Sequence, residues 1–117
     1  MFADAMNIAA NMLVGEHDFA SFAAAGYSSK TTVRTIYSSY VTRFDDLVTF
    51  SITGNGFLYN MVRIIAGTLI EIGKGVMKPD DILAIMDKHD RSAAGPTAPA
   101  KGLTLLEIEY PEWEIEI

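Results

Sequence analysis

A chain of 117 residues, half of them hydrophobic and about a fifth charged, has the size and composition of one folded domain and lies outside the disordered class. It contains no cysteine, which excludes disulfides, thiolate nucleophiles and Cys-ligated zinc and fits an intracellular home, expected to be the cytoplasm. The formal net charge of −6 would repel nucleic acid from the surface as a whole, so any RNA role needs a local basic patch or a second domain.

Asp4 stands where a secretory signal would require positive charge, which argues against secretion. From Phe2 to Val14, the residues Met6, Ala9, Ala10 and Leu13 share one helical face, and Gly15 is the expected stop. Glu16 to Thr32 shows no sustained period and is expected to be a loop with one helical turn. Val33 to Phe44 and Leu47 to Thr53 are rich in Val, Ile, Thr and aromatic residues, and Val48, Phe50 and Ile52 alternate inward. Joined at Asp45-Asp46, these two runs predict an antiparallel hairpin.

Gly54-Asn55-Gly56 releases the chain into the longest periodic element, a helix expected from Phe57 to Ile72 and stopped by Gly73 and Gly75. Asn60, Arg63 and Glu71 interrupt its apolar run, so it reads as a buried helix rather than a membrane span. Pro79 with Asp80-Asp81 opens the next helix, whose buried face is expected from Ile82, Leu83, Ile85 and Met86. Ser92 to Gly102 is an Ala-, Gly- and Pro-rich ordered loop. Leu103 to Tyr110 is the expected third strand, with Glu112, Glu114 and Glu116 in a solvated tail. The order of elements predicts an α+β fold: one domain over residues 1–117, an antiparallel sheet with helices packed on one face. Three strands would leave an edge for a second domain to cover.

Arg63 stands among Met61, Val62, Ile64 and Ile65. Burying a guanidinium there without an anionic partner would be costly, and the planar fork of arginine suits a carboxylate or phosphate. No residue of the sequence identifies that partner.

Gly54-Asn55-Gly56-Phe57-Leu58-Tyr59-Asn60-Met61-Val62-Arg63, followed by Gly67-Thr68-Leu69 and Glu71-Ile72-Gly73, resembles the C-terminal signature of TruA-type tRNA pseudouridine synthases. The likeness extends to Met6 with Ala9-Ala10, to Gly15-Glu16-His17-Asp18-Phe19 and Ser21-Phe22, and to Arg34-Thr35-Ile36. It continues through Asp90-Arg91, Ala94-Gly95-Pro96-Thr97-Ala98-Pro99, Gly102-Leu103 and Glu109-Tyr110-Pro111, in the family's order. Any one of these words is common in unrelated folds, and their shared register is what makes them specific.

The resemblance implies the C-terminal catalytic-core domain, a ferredoxin-like half of an enzyme that isomerises uridine to pseudouridine in the tRNA anticodon arm, without metal or organic cofactor. It implies an N-terminal domain carrying the essential aspartate, in an Arg-Thr-Asp-like motif not found among these residues, so this chain alone is expected to be inactive. It further implies that Arg63 ion-pairs with that aspartate and that Gly102 and Leu103 belong to the substrate-binding site, Leu103 packing near the uracil. Tyr59, expected one turn before Arg63 on the same helix face, takes a weaker substrate-binding role. A homodimer and tRNA are the implied partners, with no membrane association.

Other groups are read structurally. His17 and His89 have no second ligand at metal spacing and are expected in loops or caps. Asp45-Asp46 is a turn and Asp80-Asp81 a helix start. Ser21 and Ser92 lack a histidine partner. Lys30, Arg34, Arg43 and Lys101 could form a basic strip that touches RNA, and Tyr27, Tyr37 and Tyr40 could stack on bases, although packing explains most such tyrosines. The rival reading is a stand-alone RNA- or protein-binding α+β module, and a dimerisation role is a third.

Overall fold

The computed structural model describes residues 1–24, 31–107 and 109–117. Lys30 and Tyr27 lie outside the described residues. The elements are helix α1 (Ala3–Asn11), strand β1 (Gly15–Asp18), strands β2 (Val33–Phe44) and β3 (Leu47–Gly54), helices α2 (Met61–Gly73) and α3 (Asp81–Lys88), and strands β4 (Leu103–Glu107) and β5 (Pro111–Glu116). The strands form one antiparallel sheet in the order β1-β2-β3-β5-β4. This is the expected α+β class, with five strands among the described residues rather than three.

The expected hairpin forms in register, Phe44 opposite Leu47 and Thr42 opposite Thr49, and Asp45 takes the left-handed conformation at φ 53°, which short polar side chains tolerate. The two further strands arise where period was hard to see. β1 is only four residues long and includes Gly15 at φ 112°. It pairs with β2 (His17 opposite Arg34), so Gly15 opens a strand instead of stopping the helix, and His17 is a strand residue rather than a loop or cap. The stretch expected as a single strand over 103–110 divides into β4 and β5. The glutamates expected in a solvated tail belong to β5, where Phe50 pairs with Ile115 and Ile52 with Trp113. Proline is compatible with the first residue of a strand, and Pro111 occupies that place.

Helix α1 buries Met6, Ala9 and Ala10, with Leu13 just beyond its end. α2 buries Ile64, Ile65, Leu69 and Ile72 in the same core as Phe50, Ile52 and Ile36 of the sheet. In α3, Ile82, Ile85 and Met86 are buried as expected, but Leu83 is 42% exposed, because it lies about 100° around the helix from Ile82, off the buried face. His89 caps α3 in the left-handed conformation, as a capping residue should. No helix of the described residues is long and apolar enough to cross a membrane.

Candidate active-site cleft

The cleft forms where α2 begins. Asn55 ties the end of β3 to β2, its side-chain Oδ1 accepting from Thr35 N at 3.0 Å while its own N–H donates to Thr35 O at 3.0 Å. Gly54 allows the approach, since a Cβ there would lie 2.9 Å from both Thr35 O and the Ile36 Cδ1. The chain then makes a turn in which Asn60 adopts φ 58°. A left-handed residue cannot continue a helix backwards, so α2 starts at Met61 rather than at Phe57. Tyr59 therefore lies in the turn before the helix, not one turn back along its face, and its side chain is 60% exposed.

Phe57, Tyr59, Asn60 and Arg63 on one side, and Leu103, Leu105, Pro111 and Trp113 on the other, line a cavity of about 440 Å³. Two of the sequence-derived residues thus meet across it from distant parts of the chain, Arg63 in the first turn of α2 and Leu103 at the start of β4. Tyr59 stands at its edge in the turn. Gly102 does not line it. That residue lies at φ 87° with its Cα against Glu116, where a Cβ would come 3.2 Å from the glutamate Cβ. Its part is to turn the chain into β4.

Arg63 is half-buried. Its Nε donates to Ala98 O at 2.8 Å, and one terminal nitrogen, Nη1, reaches Asn60 Oδ1 at 3.4 Å. Both acceptors are neutral. The one approach of a basic side chain to a carboxylate within 4 Å among the described residues is that of His89 to Asp18 at 3.7 Å, so no carboxylate of the described residues meets this guanidinium. Nη2 donates no hydrogen bond to a described residue, and the side chain lines a recess whose other walls are mostly apolar.

The segment from Ala94 to Ala98 lies as a strap along α2. Ala98 N donates to Arg63 O at 2.9 Å while the Arg63 side chain donates to Ala98 O, so the two residues are clasped reciprocally. Three residues back, Gly95 N donates to the fully buried Thr68 Oγ1 at 2.9 Å. Glycine at position 67 is required by this approach, since a Cβ would lie 1.6 Å from Pro96 O. This is the ordered loop expected over Ser92 to Gly102, and its contact with α2 emerges only in the structure. The glycines at 67 and 95 were the only signal available.

Among the described residues, the basic side chains of the expected strip do not converge. Arg34 Nη1 donates to the carbonyls of Thr31 and Val33 at one end of β2, and Arg43 donates to Asp45 O and Met1 O at the other. Lys101 lines a separate recess with Ile70, Pro99 and Ile117. Tyr37 packs against Tyr110 with ring centroids 4.7 Å apart, and Tyr37 and Tyr40 are both exposed. No three His, Asp or Glu side chains among the described residues cluster as metal ligands would.

Residues 9–111 match the family described as tRNA pseudouridine synthase. The chain is 52% identical over 107 residues to the tRNA pseudouridine synthase A of Brevibacillus brevis, an alignment covering 92% of this chain and 44% of that relative. It is 47% identical over 107 residues to the enzyme of the same name from Caldicellulosiruptor bescii, with the same coverage. With the Bacillus pumilus enzyme it shares 50% over 108 residues, again 92% of this chain and 44% of the relative. The chain thus spans less than half the length of the curated relatives it matches.

Proposed function

The chain belongs to the TruA-type tRNA pseudouridine synthase family, and we propose that it supplies the C-terminal catalytic-core part of such an enzyme, acting on tRNA in the cytoplasm. The reaction breaks the N1–C1′ glycosidic bond of a uridine in the anticodon arm and forms a C5–C1′ bond. The C5 proton is lost and N1 gains one, so the change is an isomerisation that consumes no co-substrate. The N-terminal half of the intact enzyme contributes the aspartate, and Arg63 holds that carboxylate ionised and aimed at the target nucleotide. Leu103 covers the uracil from the apolar wall, with Tyr59 bordering the entry.

The observation that carries this reading is a cation left without a carboxylate among the described residues, in a recess whose far wall is Leu103. An anion arriving there would be gripped by a guanidinium already held at Nε, in a partly dry setting where charge-assisted bonds are strong. The intact enzyme works as a homodimer in this reading, and its mass in solution checks that part.

The decisive experiment supplies an anticodon-arm transcript labelled with tritium at uridine C5. The 117-residue chain alone should release no label, and adding the N-terminal half of a relative should restore release. Turnover by the chain alone, or a failure of every such pairing, would refute the assignment. Salt-sensitive, tight binding of the arm by the isolated chain would favour the stand-alone binding module instead.

A further inference from the structure

We infer that Thr68 is a positioning residue for the reaction, setting the direction of Arg63 through the strap it anchors. The inference rests on the proposed role of Arg63 as the cation of the site. Thr68 does not touch the cleft. Its side chain is fully buried on α2, donating to Ile64 O at 2.9 Å within the helix and accepting from Gly95 N at 2.9 Å. A hydroxyl can donate one bond and accept others, so this oxygen serves helix and strap together.

The consequence runs along the strap. Its near end is fixed at Thr68 and its far end at the Ala98–Arg63 clasp, and between them Pro96 O rests on the bare Cα of Gly67. Arg91 presses the strap from outside, Nη1 donating to Gly95 O at 2.9 Å and Nη2 reaching Thr97 Oγ1 at 3.3 Å. The position of the Ala98 carbonyl is thereby set by contacts remote from the cleft. That carbonyl is the acceptor of the Arg63 Nε–H. Holding Nε fixes the guanidinium plane and presents the terminal nitrogens to the cavity. An arginine free to swing would still carry charge but would seldom offer a two-point grip at the right angle.

The test separates geometry from catalysis. In the 117-residue chain, hydrogen exchange at Arg63 Nε–H is followed by NMR. Thr68→Val, which keeps the volume and removes the hydroxyl, should speed exchange about fivefold, the size expected for one lost hydrogen bond. Thr68→Ser should restore the wild-type rate. Arg91→Ala, which leaves the core intact, should speed it by a smaller factor and serves if Thr68→Val does not fold. In the enzyme completed with the N-terminal half, Thr68→Val should lower kcat with the KM for tRNA unchanged, and Thr68→Ser should recover kcat. Unchanged Nε–H exchange in folded Thr68→Val, or in Arg91→Ala where that is the variant available, would overturn the inference. So would faster exchange with full kcat. If the wild-type halves never form an active enzyme, the functional reading fails instead, while the exchange measurement still decides whether Thr68 positions Arg63.

Discussion

Helix α2 meets two different kinds of surface. Along residues 63–68 it is sealed by the strap, with backbone against backbone at Gly67 and Gly95 and each polar contact answered. At its N-terminal end it borders an open recess in which Leu105 is 46% and Tyr59 60% exposed. Both surfaces are built largely from apolar residues, so composition does not distinguish them. What differs is the pairing of polar atoms: the sealed side is complete within the chain, and the open side leaves a guanidinium only partly satisfied. A surface complete in itself supplies stability, whereas one left incomplete is where an outside group can add binding energy.

The contrast is broken most severely at Arg63. In the enzyme completed with its N-terminal half, Arg63→Ala should lower the single-turnover rate by about 100-fold, since stranding a charged partner costs roughly 3 kcal/mol. The same substitution in the isolated chain should cost only about 1 kcal/mol of stability, the value of its hydrogen bond to Ala98. Rapid-quench kinetics and urea unfolding read the two numbers. An unchanged rate would remove Arg63 from the chemistry, and a large loss of stability would make it a structural residue on the sealed side.

The next largest effect exchanges the two surfaces. Gly67→Ala inserts a methyl into the space held by the Pro96 carbonyl and should destabilise the chain by about 3 kcal/mol, because backbone cannot yield as a flexible side chain can. Leu105→Ser in the recess should change stability by no more than about 0.5 kcal/mol, as partly exposed positions usually do. Equal losses in urea unfolding would mean that the recess is an ordinary part of the core.

These regions differed as much in how far the sequence revealed them. The apolar stripe of α2 and the alternation of Val48, Phe50 and Ile52 follow directly from burial on one face, so both elements were legible. The start of α2 was not, because the sign of φ at Asn60 is decided by the turn and not by hydrophobic pattern. β5 does alternate, Trp113 and Ile115 against three glutamates, but Pro111 and the dense charge disguised a strand that lies inside the sheet. Arg63 could be singled out as a charge among aliphatic residues, and Leu103 only through resemblance. The strap was illegible because Ala, Gly and Pro carry no period, and its close approach to α2 exists only after folding.

The smallest effect lies at the strap's root. Asp90 begins the turn that leads into it, Oδ1 accepting from Ser92 N at 2.9 Å and from the Ser92 hydroxyl at 2.8 Å. These bonds, the backbone one foremost, hold its carboxyl below the usual carboxylate range, with the nearby Lys88 charge acting in the same sense. A carboxyl whose folded-state pKa is depressed contributes stability above its unfolded value and loses that contribution as the pH falls through the folded one. The difference in melting temperature between wild type and Asp90→Ala should therefore be small and steady at neutral pH and close as acid is added. A difference that widened in acid would reverse the sign and show that the charged form of Asp90 is disfavoured by folding. A difference that stayed constant would mean the bonds from Ser92 serve the turn regardless of charge, leaving the sealed side held by packing and neutral hydrogen bonds alone.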